Sequence, residues 1–155
     1  MFRILHIFST FAVGGPQIRT IDLALALGNV YSHCIVATDN DLSAAIRLQQ
    51  RIPLITPQFT RPLRKGPGLA LANIRHFRTI ISEYSPDLLL TYNWGAIEAV
   101  IASRLRSVCP HVHFEDGFGP EETVRQLRRR IWTRRFALSG RHTFVVVPSH
   151  ALERI

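Results

Sequence analysis

The pattern of apolar and polar positions at the start of the chain predicts a strand, a tight turn and a helix. Residues 3–8 form a short, mostly apolar run that is typical of a strand buried in a sheet. Residues 9–16 follow as a turn that contains Gly14 and Gly15, which can adopt positive φ, and a proline suited to the first turn of a helix. Apolar residues then recur at helical spacing, and Gly28 stands where a left-handed residue would end the helix. We therefore expect the first half of a βαβ unit.

The rest of the chain continues this alternation of strands and helices. We predict strands at residues 33–38, 52–55, 88–92, 111–114 and 143–147, and helices at 42–50, 69–84, after Gly95, at 121–138 and from Pro148 onward. Parallel strands joined by right-handed helical crossovers require helices on both faces of the sheet. The predicted fold class is α/β, a Rossmann-like parallel sheet with helices on both faces, in one domain that spans residues 1–155.

Ligand sites in such sheets lie beyond the carboxyl ends of the strands. The turns that follow the predicted strands are therefore the candidate surface. These turns are Gly14-Gly15, Asp39-Asn40, Asn93-Trp94-Gly95, Glu115-Asp116-Gly117 and Pro148-Ser149.

Composition restricts the class of protein. With 155 residues, 46% of them hydrophobic and 19% charged, the chain is long enough for one packed globular domain. No apolar run reaches the ~18 residues of a membrane span, and Ser9 and Thr10 interrupt the first apolar run before it can form a signal peptide. Cys34 and Cys109 have no metal-ligand spacing. We expect a cytoplasmic protein without a metal site or a disulfide.

The net charge of +8 comes almost entirely from arginine, because Lys65 is the only lysine. Arginine pairs bidentately with phosphate, so the charge favours acidic or phosphorylated partners. A genomic base composition that replaces lysine with arginine also explains the excess. No nucleic-acid-binding motif accompanies the charge, and we expect no nucleic-acid partner.

The Gly14-Gly15 turn is a candidate binding element. It places backbone N–H groups and the positive end of a helix dipole at the sheet edge, where they can cradle a phosphate or lie against a sugar. The turn lacks the three glycines of the dinucleotide fingerprint, although Asp39 falls near the usual position of an NAD-binding carboxylate. A sharp turn into the helix, without any binding role, also explains the glycine pair.

Glu115 and Asp116 form the best-placed titratable cluster, at the end of a strand that carries His111 and His113. A carboxylate there can orient or deprotonate a hydroxyl group. The alternative is that Asp116 and Gly117 form an ordinary turn, with both histidines on one face of the strand.

Asn93 and Trp94 follow another strand and offer an amide for hydroxyl groups and an aromatic plane for a sugar face. Core packing of the indole is an equal alternative. At this point the residues alone favour a binding role no more than a structural one.

The predicted helix 121–138 is strongly basic. Val124, Leu127, Ile131 and Leu138 form one narrow apolar stripe that would dock on the sheet. On a different side, Trp132 and Phe136 lie beside Arg125 and Arg129. This second face suits anionic lipid headgroups or a phosphate-bearing acceptor, and it is equally compatible with a solvated surface or one covered by a partner domain.

Three stretches, taken in order, resemble the N-terminal domain of a GT-B glycosyltransferase of family 4. They are residues 2–28, with Gly14-Gly15 at that family's glycine turn, residues 85–93 (SPDLLLTYN) and residues 144–152 (FVVVPSHAL). The resemblance follows the order of elements through nearly the whole chain.

The resemblance implies an enzyme of two Rossmann-like domains. In that family the N-terminal domain binds the acceptor, the C-terminal domain binds the nucleotide sugar, and hexosyl transfer retains the anomeric configuration without a metal or a further cofactor. Many members act on lipid-linked or envelope polysaccharide acceptors at the inner face of the cytoplasmic membrane. The partners implied are thus the protein's own C-terminal domain, absent from this chain, a sugar or lipid-linked acceptor, and an anionic membrane surface. We expect the chain alone to be inactive.

The resemblance also assigns roles to the candidate residues. Family members commonly carry His-Gly or His-Asp at the end of the strand that matches residues 111–114, whereas Asp116 stands at that position here. Either Asp116 or Glu115 therefore acts as the catalytic group toward the acceptor hydroxyl, or His113 reaches the site from a shifted register. The expected substrate-binding residues are Gly14, Gly15, Asn93, Trp94, His113 and Arg129.

Two other classes of function remain open from the sequence. One is a non-catalytic domain of flavodoxin-like architecture that binds phosphate or a nucleotide. The other is a basic module that attaches to a membrane surface or to nucleic acid.

Overall fold

The computed structural model describes residues 1–48, 55–58, 60–61, 63, 69–105, 109–117 and 127–150. Within these residues the strands are β1 (Phe2–Phe8), β2 (Tyr31–Ala37), β3 (Ile55–Gln58), β4 (Leu88–Tyr92), β5 (His111–Phe114) and β6 (Thr143–Val146). The helices are α1 (Gly15–Leu27), α2 (Ser43–Leu48), α3 (Leu71–Tyr84), α4 (Ile97–Leu105) and α5 (Arg128–Leu138), with short 3-10 turns at Gly28–Val30 and Trp94–Ala96.

The strands form one parallel sheet in the order β3-β2-β1-β4-β5-β6. The chain builds outward from β1 to β3, returns to the other side of β1, and builds outward again. The strand order therefore reverses between β1 and β4, and loops that leave these two strands diverge and open a crevice at their carboxyl ends. The predicted α/β fold class is confirmed.

Helices cover both faces of the sheet because alternate strand residues point to opposite faces. Leu5 and Leu89 pack with Phe77 of α3 and Val100 of α4 on one face. Ile4, Phe8 and Leu90 pack with Ile21 of α1 on the other face. Both faces of the central strands are thus buried, which explains why the sequence shows nearly continuous apolar runs there.

The turn into α1 is extended rather than left-handed. Gly14 has φ of −165°, and Gly15 is the first residue of the helix. Among the described glycines only Gly28, with φ of 62°, has a positive φ, as expected for the residue that ends α1. The glycine pair can adopt positive φ but does not use it here, and the prediction for Gly28 is confirmed.

Helix α5 docks through arginine rather than through the predicted apolar stripe. Arg130, Arg134 and Ala137 are the buried residues of the helix. Leu127, Ile131 and Leu138 are half-buried, and Val124 and Arg125 lie outside the described residues. Leu138 of the predicted stripe packs against the core. The prediction was wrong in making the apolar stripe the whole docking face, because the buried positions of the helix also include two arginines, whose partners are described below.

The third strand was predicted at residues 52–55, but β3 covers Ile55–Gln58 and pairs with β2 from His33 to Val36. Pro57 is compatible with this position because β3 is an edge strand, where a missing N–H costs no ladder bond. Residues 121–126, the first part of the predicted basic helix, and residues 49–50 and 151–155 lie outside the described residues.

Two further expectations concern the cysteines and the membrane. Cys34 and Cys109 are both buried free thiols, and burial raises the pKa of the Cys34 thiol to about 11.

In the described ranges, no helix has the length and the apolar character needed to cross a bilayer.

Candidate active site

Loops that leave the strands are tied to one another along the carboxyl edge of the sheet. The Ser9 carbonyl accepts hydrogen bonds from the Asp39 N–H at 3.1 Å and the Thr38 hydroxyl at 3.0 Å. The Asn93 N–H donates to the Phe114 carbonyl at 2.7 Å, and the Glu115 N–H donates to the Val146 carbonyl at 3.0 Å. Residues from β1, β2, β4, β5 and β6 therefore meet at one edge.

Asp116 forms hydrogen bonds with two elements that are distant in sequence, helix α1 and the loop after β4. Arg19 of α1 donates to both of its carboxylate oxygens, Nη1 to Oδ1 at 2.8 Å and Nη2 to Oδ2 at 3.1 Å. The Asp116 N–H donates to Asn93 Oδ1 at 2.7 Å. The hydrogen bonds with Asp116 raise the pKa of the Arg19 guanidinium. Since Arg19 lies one helical turn after Gly15, the two predicted turns occupy the same end of the sheet.

An aromatic stack lies beneath this ion pair. The rings of Phe8 and Tyr92 are parallel with centroids 3.7 Å apart, and those of Tyr92 and Phe114 are parallel at 5.1 Å. The Arg19 guanidinium lies 5.2 Å from the centroid of the Phe114 ring. Arg19 is therefore held by a carboxylate and by an aromatic face together.

Glu115 points the opposite way, into the face covered by α5. Its side chain is 4% exposed, and its Oε2 lies 3.4 Å from Arg134 Nε and 3.5 Å from His113 Nε2. Glu115 Oε1 and His113 Nε2 have no hydrogen-bond partner within the described residues. The two predicted carboxylates thus differ in setting: Asp116 is partly exposed at the sheet edge, and Glu115 is a buried partner of an arginine.

Trp94 is held between the sheet and α5. Its indole packs against the core that contains Leu89, and the guanidinium groups of Arg130 and Arg134 lie 4.8 Å and 5.2 Å from its ring centroid. The half-buried indole therefore has a structural setting, and its predicted sugar-stacking role stays a prediction.

Asn93 has a strained backbone. Its φ is 56°, in the left-handed region that non-glycine residues rarely adopt. Its N–H bonds Phe114 and its Oδ1 bonds Asp116, so the strained conformation lets one residue fasten two positions of the β5 end. Strain of this kind is concentrated at functional sites.

The glycines at this edge differ in the space around them. A Cβ on Gly15 would meet nothing within 4 Å, whereas one on Gly14 would lie 2.7 Å from Gln17 Oε1. A Cβ on Gly95 would lie only 2.3 Å from the Cβ of Ser9. Gly95 is therefore the residue that lets the loops after β1 and β4 come together.

Two buried polar networks run through the sheet below the site. On the α1 face, His6 Nδ1 is 3.0 Å from the Tyr92 hydroxyl and His6 Nε2 is 2.9 Å from His33 Nδ1. On the opposite face, Thr91 Oγ1 is 2.7 Å from His111 Nε2 and 2.8 Å from His113 Nδ1. Burial, assisted by a neighbouring imidazole, lowers the pKa of His6 to about 3 and that of His111 to about 3.

Arg129 lies on the outward face of α5. The exposed residues of this face include Arg128, Arg129, Trp132, Arg135 and Phe136, which we call the α5 outer face. Trp132 is 69% exposed and Phe136 is 52% exposed. The structure thus places Arg129 apart from Asp116, on the surface rather than at the strand ends.

Within the described residues, a cavity of about 310 Å³ lies at the opposite edge of the sheet. Arg104, Ser139, His142 and Thr143 are among its lining residues. Because it lies at the amino ends of β5 and β6, it is separate from the cluster around Asp116. In the described part of the chain, no three His, Cys, Asp or Glu side chains are grouped as metal ligands.

The sheet order and the helices on both faces define a Rossmann-like α/β domain, with a polar cluster beside the β1–β4 crevice. The sequence profile of Glycosyltransferase Family 4 matches residues 13–155. The chain belongs to this family, which confirms the resemblance drawn from the three sequence stretches. Comparison with curated protein sequences finds no match.

Solved structures share the fold of this chain, and two of them contain a nucleotide or a nucleotide sugar. The UDP complex of MnaA from S. aureus has a TM-score of 0.55 and 17% identity over 79% of this chain and 33% of that one. MurG from Acinetobacter baumannii has a TM-score of 0.52 and 18% identity over 76% and 37%. UDP-GlcNAc 2-epimerase from Neisseria meningitidis, bound to UDP-GlcNAc, has a TM-score of 0.51 and 16% identity over 93% and 46%. The chain spans less than half the length of these proteins, and identities this low show the fold alone.

Several residues of the site were not predicted from the sequence. Arg19 reads as one surface arginine of an amphipathic helix, and Arg134 as part of a basic face. Both are identified only by partners on distant elements, Asp116 for Arg19 and Glu115 for Arg134.

Proposed function

We propose that this chain is the acceptor-binding domain of a longer glycosyltransferase that takes its sugar from a nucleotide-sugar donor. Membership of Glycosyltransferase Family 4 supports this function. The similar solved structures are more than twice as long as the matched region, which supports a second domain. In this proposal the second domain binds most of the donor. Transfer of a hexosyl group with retention of configuration and without a metal is part of the proposal, as is the absence of any further cofactor.

One observation supports the site most strongly. Asp116 has a partly exposed carboxylate, 17% exposed, at the carboxyl edge beside the β1–β4 crevice, and it is fixed by Arg19 and Asn93. A carboxylate held in this way can accept a hydrogen bond from an acceptor hydroxyl and draw its proton as the bond to the sugar forms. We assign this role to Asp116.

The other predicted residues receive supporting roles in the proposal. Gly15 leaves open space at the start of α1, next to Gly14, where a donor phosphate or an acceptor can approach. Asn93 and Trp94 shape the neighbouring wall of the site. Glu115 and His113, both buried, support that wall from inside rather than touching the acceptor in this conformation.

The transfer reaction is testable with the full-length protein. Incubated with a panel of nucleotide sugars and acceptors, it should release nucleoside diphosphate and form a glycoside, whereas residues 1–155 alone should not turn over. Asp116→Asn should lower kcat by about 100-fold or more, since a general base contributes roughly 10²–10⁴-fold. Asp22→Asn, an exposed carboxylate on α1, is the matched control and should leave kcat unchanged.

The same assay separates the alternatives. Product with the donor's anomeric configuration, formed in the presence of EDTA, supports the retaining and metal-independent reaction. Nucleotide binding without transfer to any acceptor would favour the non-catalytic phosphate-binding domain instead. Full activity of Asp116→Asn would contradict the role given to this carboxylate.

A second proposal concerns attachment to an anionic membrane surface. The α5 outer face combines exposed aromatic rings with arginines, and Arg135 and Arg104 lie 5.7 Å and 4.3 Å from the centroids of Trp132 and Phe136. Aromatic side chains at the headgroup level with cationic side chains beside them are typical of peripheral attachment. This surface would keep the enzyme at the inner face of the cytoplasmic membrane, near a lipid-linked acceptor.

Vesicle binding measures this attachment. We expect co-sedimentation with phosphatidylglycerol vesicles at low salt, weaker binding as salt rises, and none with phosphatidylcholine vesicles. Trp132→Ala with Phe136→Ala should lower the affinity about tenfold, whereas Leu71→Ala, an equally exposed apolar residue on α3, should not. Equal binding to duplex DNA would show that the charge alone is responsible.

A further inference from the structure

Arg19 of α1 makes the most specific polar contact at the candidate site. Its two terminal nitrogens meet the two oxygens of Asp116, in the fork-to-fork geometry that fixes a carboxylate plane as well as its position. The two residues are 97 positions apart in the sequence. Arg19 lies on α1, beside the β1–β4 crevice, and Asp116 lies on the loop after β5. The contact therefore joins the two sides of the candidate site.

The arginine itself is placed by more than the carboxylate. Its guanidinium faces the ring of Phe114 at 5.2 Å, and the neighbouring Thr20 hydroxyl lies 3.3 Å from the Tyr92 hydroxyl under the same aromatic stack. The first turn of α1 is anchored as well, because Gln17 Nε2 donates to the Thr10 carbonyl at 2.9 Å. Helix α1 thus carries Arg19 on a fixed support rather than on a mobile loop.

The exposure of the pair argues against a purely structural contact. The Arg19 side chain is 48% exposed and that of Asp116 is 17% exposed. Pairs at such exposure typically contribute only about 0.2–1 kcal/mol to folding stability, because water screens the attraction and two side chains must be ordered, although bidentate geometry makes this pair one of the stronger ones. The geometry, in contrast, is what a reacting carboxylate requires, since misplacement by about 1 Å can cost a catalyst 100-fold in rate.

We propose that Arg19 is a positioning residue that orients the carboxylate of Asp116 toward the acceptor hydroxyl and balances its charge beside an anionic donor. This inference rests on the proposed transferase function. Arg19 acts through Asp116 and is not itself a contact of the sugar. The bidentate pair uses one lone pair on each oxygen of Asp116, so each oxygen has a second lone pair that can accept a hydrogen bond from a hydroxyl group.

A double-mutant cycle in the full-length protein tests the proposal. Arg19→Gln should lower kcat by about 10–100-fold with a smaller change in KM for the acceptor, because the carboxylate remains but loses its orientation. Arg19→Lys, which keeps the charge without the fork, should fall between Arg19→Gln and the unchanged protein. In the Asp116→Asn background, Arg19→Gln should have no further effect, because both changes interrupt one interaction.

Controls separate positioning from stability. Arg78→Gln, an exposed arginine on α3, should leave kcat and KM unchanged. The melting temperature of Arg19→Gln should remain close to that of the unchanged protein. A loss of melting temperature with unchanged kcat would overturn the proposal and leave the pair as a structural tie between α1 and β5. Additive losses in the double mutant would also overturn it, since they would indicate that Arg19 contacts a substrate directly.

The bidentate contact between Arg19 and Asp116, which we call the clamp, can be observed without any reaction. In the unchanged protein, slow rotation of the Arg19 guanidinium should give separate NMR signals for its two terminal nitrogens, and Asp116→Asn should merge them. Merged signals in the unchanged protein would contradict the clamp. A full-length protein that has the clamp but no transferase activity would refute the proposed function, and the positioning role with it. A transferase whose kcat is unchanged by Arg19→Gln would refute the positioning role alone.

Discussion

Lowering the pH from 7 to 4 is expected to remove about half or more of the folding stability of this chain. His6 and His111 are fully buried, and burial lowers the pKa of each to about 3 from an ordinary value of 6.5. Burial also lowers the pKa of His33, the neighbour of His6. These imidazoles are neutral in the folded protein and bind protons readily only when the chain unfolds.

The direction follows from proton linkage. Below pH 6.5 the unfolded chain gains protons at these positions and the folded chain does not, so the unfolded state is stabilised progressively until the pH approaches 3. His6 and His111 together should cost about 4 kcal/mol of stability at pH 5 and about 7 kcal/mol at pH 4. Because a domain of this size is stable by only about 5–15 kcal/mol, the loss at pH 4 amounts to between about half and all of its stability.

Urea unfolding followed by circular dichroism at several pH values measures this loss. His111→Gln removes one titrating group and keeps a side chain that can bond Thr91, so its stability should fall less steeply between pH 6.5 and 4. His142→Gln, an exposed histidine on the loop before β6, should leave the slope unchanged. A flat stability profile down to pH 4.5 would show that the buried imidazoles accept protons in the folded state.

The central strands were predictable because their surroundings impose a simple pattern. β1 and β4 are buried on both faces, so nearly every position must be apolar, and β5 has the bounds that its sequence predicts. Edge strand β3 pairs with one neighbouring strand only, so its sequence is less constrained to be apolar. Its predicted position was therefore about three residues too early. The location of the site followed from topology, since the carboxyl ends of parallel strands meet at one edge.

The contacts within the site could not be predicted from the sequence, because they join residues that local patterns treat as unrelated. Helical periodicity assigns arginine to the solvent side, yet Arg130 and Arg134 point inward, where Trp94 and Glu115 are their partners. Glu115 and Asp116 are adjacent in sequence, but strand alternation directs them to opposite faces. Sequence therefore identified the cluster, and only the fold separates its exposed carboxylate from its buried one.

Gly95→Ala is expected to destabilise the chain by about 1–3 kcal/mol, the range for overpacking a close contact. A Cβ at this position would lie 2.3 Å from the Cβ of Ser9 and 3.3 Å from its Cα. Since Cα belongs to the backbone, a side-chain rotation cannot relieve the clash, and the loops after β1 and β4 must move apart. Because the same loops lead to Asn93 and to α1, the substitution should also disturb the Arg19–Asp116 pair.

A second substitution identifies the cause of this effect. Ser9→Gly removes the nearest clashing atom and should recover more than half of the stability lost in Gly95→Ala, which non-additive unfolding free energies would reveal. Gly15→Ala and Gly117→Ala, where an added Cβ meets open space, should change stability by less than about 0.5 kcal/mol. If Gly95→Ala lowers the stability no more than Gly15→Ala and Gly117→Ala do, the contact with Ser9 is not a specific constraint. The loops after β1 and β4 can then move apart at little cost.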